Sequence, residues 1–495
     1  MSAEPNGSRG SGAARDLRFA VIGAGMAGIL SAIKLTEAGF TDLTVYEKAD
    51  RVGGTWRENT YPGIACDVPS HLYRYSFAPN PDWSHTFSPG DEIEAYFEHV
   101  TKDRGVEHCI RFGEEVTRCE LVDGRWHLET SKGTHDVADV VIAATGVLHQ
   151  PKYPDIDGLD TFEGHAFHSA RWDHRVEIEG KRVGVIGNGS SGVQICAAIV
   201  DEVEHLTLFQ RTAQWIVPQD NVAYTEEEKD DFRRHPETMQ ELHAGIAELF
   251  AAGFGNAVVD PDSPHMRNIE DTCRAHLEEK VKDPELRERL RPDYRAACKR
   301  LVVSDDFYDA IQQPNAELVT DAIERIEPNG VRTRDGRLHE LDVLVLATGF
   351  RVDAFMRPMG LIGHDGVTLA DAWAARPIAY LSISIPDFPN FFMLNGPNGP
   401  VGNFSLIEVA ELQFAYIMQL VERLRRGECH AISPSHDATE SFEAARTEAA
   451  KSTIWSTGCR SWYLDDRGVP STWPWTFDRF RAEMSAPDLG AYELR

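Results

Sequence analysis

The sequence predicts an α/β fold in which two Rossmann-like domains share the chain with an inserted helical subdomain. Three observations carry this. From Leu17 to Tyr46 an apolar run, a glycine turn, a helical pattern and a second apolar run follow one another. The same plan recurs from Val183 to Phe209, and a Glu/Arg/Lys-rich stretch of helical periodicity runs from Thr225 to Ala297. A length of 495 residues suits two or three domains of about 100–200 residues, large enough to bury a cofactor.

In chain order, residues 1–16 are polar, lack the hydrophobic core of a secretory signal and read as a disordered lead-in. Phe19-Ala-Val-Ile22 reads as a buried strand, the pattern through Leu35 as the helix after it, and Leu43-Thr-Val-Tyr46 as the next strand. Val183-Gly-Val-Ile186 and Leu206-Thr-Leu-Phe209 are their counterparts. The charged stretch reads as a helical insert; charge at that spacing is what a solvated helical face carries and says nothing of catalysis. Ser405 to Arg425 is an amphipathic helix entered through the loop Asn395-Gly-Pro-Asn-Gly-Pro-Val-Gly-Asn403.

The two glycine turns carry the chemistry. In Gly23-Ala-Gly25-Met-Ala-Gly28, the first glycine permits the tight turn, the second lets a pyrophosphate approach the backbone, and the third lets helix and strand pack closely. The helix N-terminus then faces the phosphates. Gly187-Asn-Gly189-Ser190-Ser191-Gly192 repeats the motif. Glu47 stands 19 residues beyond Gly28, and Arg211 stands 19 beyond Gly192. A carboxylate at that place accepts from a ribose diol and repels a 2′-phosphate, whereas a guanidinium binds the phosphate. The first site therefore suits FAD and the second NADPH, and nicotinamide can pass hydride to flavin.

Composition narrows the remaining classes. A formal charge of -29 disfavours nucleic acid and anionic membrane surfaces, so any anionic ligand needs local basic groups. No apolar run approaches a membrane span, and the eight cysteines form no CxxC pair and no zinc-like spacing. Reduced thiols in a cytoplasmic protein are the expectation, and a disulfide reductase, which needs a close redox pair, is disfavoured.

From Leu17 to Trp475 the chain resembles the class B flavoprotein monooxygenases, and among them the type I Baeyer–Villiger monooxygenases. The resemblance rests on Glu47-Lys48, Gly53-Gly54-Thr55-Trp56, Tyr61-Pro-Gly63, Cys66-Asp67, and Ala-Thr-Gly at 144–146 and 347–349. Most specific is Phe162-x-Gly164-x-x-x-His168-x-x-x-Trp172-Asp173, which is similar to the family's FxGxxxHxxxW[P/D] linker. Read as residues alone, His168 and Trp172 are a core histidine and a buried aromatic, and we assign them a structural role in the linker.

The resemblance implies hydride transfer from NADPH to FAD, capture of O2 as a C4a-peroxyflavin, and conversion of a ketone to an ester or lactone, with sulfoxidation alongside. It implies that Arg300 is the active-site cation and that Asp67 holds it; by sequence alone Asp67 is equally a surface-turn residue. Lys48, Gly54, Thr55, Trp56, Asp67, Tyr73 and Val116 match FAD-binding positions. Ser190, Ser191, Gln194, Arg211, Thr212 and Lys299 match NADP-binding ones, although Gln194 and Thr212 also read as ordinary polar residues. The implied division is an FAD domain at 17–150 and 381–495, an NADP domain at 151–215 and 299–380, and a helical insertion at 216–298.

Two positions depart from the branch acting on simple cyclic ketones: Pro69 stands where Glu is usual and Arg57 where Tyr is usual. Gly396 to Gly402 and Trp455 to Tyr463 look more like a branch that includes aryl-ketone oxygenases. The alternatives are an oxygenase of amines and sulfides, disfavoured by Trp172-Asp173 and Arg300, and a catalytically silent flavin protein. The sequence leaves the oligomeric state and the identity of the ketone open.

Overall fold

The computed structural model describes residues 15–402 and 404–495. Two five-stranded parallel sheets form its framework, built to one plan. The first runs Phe391–Met393, Val140–Ala143, Phe19–Ile22, Leu43–Glu47, Ile110–Phe112. The second runs His165–His168, Val343–Leu346, Arg182–Ile186, His205–Phe209, Ala316–Val319. In each, the strand entering the glycine turn is central. On one side lies the strand leading into Ala-Thr-Gly, and on the other the strand that delivers Glu47 or leads to Arg211.

Alternation along the central strand divides the core. Phe19 and Val21 pack with the helices Met26–Glu37 and Leu406–Arg425, while Ala20 and Ile22 pack with Trp126 and Leu128 of a four-stranded mixed sheet. Burial on both faces explains why the strand is apolar at every position. In the second domain Val183 and Val185 pack with the helix Ser190–Ile199, and Ile186 joins the cluster that includes Ile326 and Val331 of a three-stranded meander.

The insert is helical, as its periodicity predicts: Glu226–Arg234, Pro236–Leu249, Pro264–Lys280 and Pro284–Arg289. Three of these begin on proline, whose fixed φ suits a first helical position where no N–H is needed. The first begins with a capping box, Glu228 accepting the Thr225 N–H at 2.7 Å. Among the described residues no helix is long and apolar enough to cross a membrane.

Residues 1–14 of the anticipated lead-in lie outside the described residues, and Arg15 donates its N–H to the Arg425 carbonyl at 2.8 Å. One expectation is corrected. The cysteines are not all reduced: Cys298 and Cys459 form a disulfide across 161 residues of sequence. Local spacing is blind to such a pair, because tertiary packing alone brings their Cα atoms to 6.1 Å.

Candidate active site

The first glycine turn is held by close approach. Gly23 has φ +102°, and a Cβ there would lie 2.6 Å from the Ala144 carbonyl oxygen; one at Gly28 would lie 1.8 Å from that of Gly23. Gly25 caps the helix Met26–Glu37, and a Cβ at Gly54 would meet its Cα at 2.9 Å. Glu47 is buried beside them, its carboxylate accepting the Ala24 N–H at 2.7 Å and the Ala49 N–H at 2.9 Å. The loop and the carboxylate are thus one unit.

Around that unit stand the other residues expected to hold FAD. Lys48 Nζ lies 3.4 Å from Glu58, and Thr55 and Trp56 open the one-turn helix Thr55–Glu58. The Trp56 indole donates to the Tyr73 hydroxyl at 3.1 Å, and burial pushes the Tyr73 phenol up from its ordinary pKa. Val116 begins the strand Val116–Val122 and shares a core cluster with Ile22 and Tyr46, behind the turn.

The second turn repeats the backbone. Gly187 has φ +106°, its Cβ position lies 2.4 Å from the Ala347 oxygen, and that of Gly192 lies 2.0 Å from the Gly187 oxygen. Gly189 caps the helix Ser190–Ile199 and faces open space. The Asn188 amide donates to Gln210 at 2.8 Å and to the Thr212 carbonyl at 2.9 Å, tying the turn to the segment of Arg211. Arg211 itself is exposed. Lys299 lies 4.5 Å from the centre of the Tyr294 ring, and burial followed by the charge of Arg211 pushes its amine pKa down. Two cations from distant segments thus lie close enough to repel each other.

Ser191 and Gln194 are engaged across the boundary between the two halves. Ser191 donates to the Tyr61 hydroxyl at 3.1 Å, which donates to Gln194 Oε1 at 2.9 Å, and the Gln194 amide donates to the Ala65 carbonyl at 3.0 Å. Tyr61 is a contact that sequence reasoning missed, although Tyr61-Pro-Gly63 signalled it: a Cβ at Gly63 would sit 2.7 Å from the Gln194 oxygen.

Asp67 and Arg300 meet, although 233 residues separate them. Arg300 donates Nη2 to Asp67 at 2.5 Å, Nε to the same oxygen at 3.1 Å, and Nη1 to the Gly402 carbonyl at 2.7 Å. Burial alone would lower the arginine pKa, but Asp67 and the neighbouring Tyr463 turn the balance upward, so the guanidinium stays charged. The Tyr463 hydroxyl reaches the position of a Cβ on Gly402 to within 2.2 Å. Tyr463 and the Cys298–Cys459 bridge, next to Lys299 and Arg300, are further features of the site; the stretch Trp455 to Tyr463 marks a branch in sequence but not these contacts.

His168 is wholly buried in the strand beside Val343–Leu346. Its Nδ1 accepts the Ala170 N–H at 3.1 Å, which leaves Nε2–H to donate to the Gly349 carbonyl at 3.0 Å. Burial lowers its pKa, so the neutral ring suits this bonding. Trp172 packs edge-on against Phe167 at 5.0 Å. The linker thus docks on the second Ala-Thr-Gly, the structural role expected of it.

Comparison with known proteins agrees with this geometry. Residues 20–240 match the family model described as pyridine nucleotide-disulphide oxidoreductase. An uncharacterised monooxygenase of Mycobacterium tuberculosis is 47% identical over 96% of both chains. A Baeyer–Villiger monooxygenase of Streptomyces coelicolor is 41% identical over 97% of this chain and 92% of its own. The crystal structure of cyclohexanone monooxygenase from Rhodococcus sp. Phi1 bound to NADP+ superposes with a TM-score of 0.86, at 32% identity over 97% of this chain and 99% of that one. With two dinucleotide turns, the linker on the second sheet and this near full-length similarity, the chain belongs to the Baeyer–Villiger monooxygenase family.

Proposed function

We propose that the protein uses NADPH and O2 to convert a ketone into an ester or lactone, releasing NADP+ and water. The observation that carries this is the Arg300–Asp67 pair, a fixed cation held where the two nucleotide-binding halves meet. The residues fit both cofactors: a cradle at Gly23, Gly25 and Gly28 that a Cβ would fill stands beside Glu47, and Gly189 faces open space in the turn that Asn188 ties to the segment of Arg211. Bound there, NADPH would supply hydride and FAD would accept it and activate O2.

The chain's own residues do the rest. Glu47 would accept from the FAD ribose diol, and Arg211 with Lys299 would hold the 2′-phosphate of NADPH. Arg300 would stabilise negative charge developing on the substrate carbonyl oxygen, without a proton to lose at working pH. Asp67 and the Gly402 carbonyl orient it. Arg300→Ala is expected to abolish ester formation, measured by mass analysis of products from cyclic, linear and aryl ketones, while FAD stays bound. Ester formation retained in that variant would overturn the assignment, and exclusive oxygenation of amines or sulfides by the native protein would replace the reaction.

A further inference from the structure

Arg57, where the cyclic-ketone branch usually has tyrosine, has no part in the site as described so far. It belongs to the one-turn helix Thr55–Glu58, reached through Gly54, which abuts Gly25 of the first phosphate turn. Its side chain is only 9% exposed, and its Nη2 lies 3.8 Å from Glu47 and 3.1 Å from Glu58. Glu58 is shared: Lys48 Nζ is 3.4 Å and Arg171 Nη1 is 3.7 Å from it. Arg57 therefore has no carboxylate to itself, and its Nε is buried without a hydrogen-bond acceptor.

A buried guanidinium N–H without a partner is costly, and most such groups find one. The charges around it identify the partner. The chain carries a net charge of -29, and the first site sets the carboxylate of Glu47 beside the turn that would receive a doubly negative pyrophosphate. Like charges that close need a local cation.

We propose that Arg57 is a further FAD-binding residue: its free Nε–H serves an oxygen of the adenosine diphosphate half, and its charge offsets that of Glu47 beside the pyrophosphate. The proposal rests on reading the first turn as the FAD site.

The test is FAD release from diluted holoenzyme, followed by recovery of flavin fluorescence, for the native protein, Arg57→Gln and Arg57→Lys. In parallel, NADP+ is titrated against each holoenzyme by its perturbation of the flavin absorbance. Arg57→Gln is expected to weaken FAD binding about 10- to 100-fold, the range for a lost charge-assisted hydrogen bond. Arg57→Lys should restore part of that loss, and NADP+ affinity should be unchanged. Unaltered FAD retention in Arg57→Gln overturns the proposal. So does an equal loss of FAD and NADP+ binding in both variants with a lowered melting midpoint, which marks a structural role. A native protein purified without flavin and unable to take it up would instead remove the FAD reading on which the proposal stands.

Discussion

The two nucleotide modules share a backbone and differ in how their charged residue is held. Both first glycines turn at nearly the same positive φ, both third glycines lie against the carbonyl of the first, and both turns rest on an Ala-Thr-Gly strand end. Glu47, however, is buried and bonded to two backbone N–H groups, whereas Arg211 is exposed and its loop is tied through Asn188 instead. The edge strands differ too: the C-terminal strand Phe391–Met393 closes the first sheet, and the linker strand His165–His168 closes the second. A preformed carboxylate suits a cofactor that stays, and an exposed cation suits one that enters and leaves.

The comparison breaks most sharply at the third glycines. Gly28→Ala places a Cβ against the Gly23 carbonyl and is expected to yield protein without flavin, whereas Gly192→Ala should remain yellow and lose NADP+ binding. Flavin absorbance per protein and an NADP+ titration measure both. Loss of flavin in the two variants alike would show that the modules are not independent.

Next in size is the charge at the second site. Neutralising Arg211 and Lys299 together should lower the preference for NADPH over NADH, read as the ratio of kcat/KM values, by about 100-fold. An intact preference would refute the assignment of the 2′-phosphate.

The disulfide is a third asymmetry, since it anchors only the segment that leads into Lys299 and Arg300. Cys298→Ser should lower the unfolding free energy in urea by about 2–4 kcal/mol. Six thiols rather than eight should react in denatured, unreduced native protein, because six cysteines are free. Eight reactive thiols would remove the bridge.

The smallest effect belongs to the first half, where His71 packs between Tyr224 and Phe232 with neither ring nitrogen hydrogen-bonded. Burial first, then the charges of Arg74 and His243, lowers its pKa to about 4. The folded state thus holds it neutral, while the unfolded chain takes up a proton below about pH 6.5. Its contribution is intact above that pH and is lost as pH falls toward about 4. Between pH 6.5 and 5.5 His71 should account for about 1 kcal/mol of the stability that the native protein loses, and His71→Phe should flatten the slope by that amount in urea melts.

Much of this site was legible from local pattern. Glycine spacing marked both turns, because close packing at Gly23, Gly28, Gly187 and Gly192 admits no side chain, and that constraint is written residue by residue. The partner residues Glu47 and Arg211 followed from an equal spacing of 19 residues beyond the third glycine and from their opposite charge. Arg300 was different: its dipeptide with Lys299 is unremarkable in a chain with 50 Lys and Arg, and only the family resemblance singled it out. Tyr61 lies within a motif and Tyr463 within a stretch that marks only the branch, but the contacts of both, like the unpartnered Nε of Arg57, depend on a neighbour far away in sequence or on one that is lacking.

By itself, then, the sequence determined the two βαβ modules, the helical insert and the opposite charges on which the proposed cofactor assignment rests, because periodicity, glycine stereochemistry and charge act over short spans. Tertiary structure alone decided that Asp67 meets Arg300 across 233 residues, that Cys298 bonds Cys459 across 161, and that the linker histidine docks on the second sheet. Those contacts depend on how two domains and an insert pack together, and no local spacing encodes that arrangement.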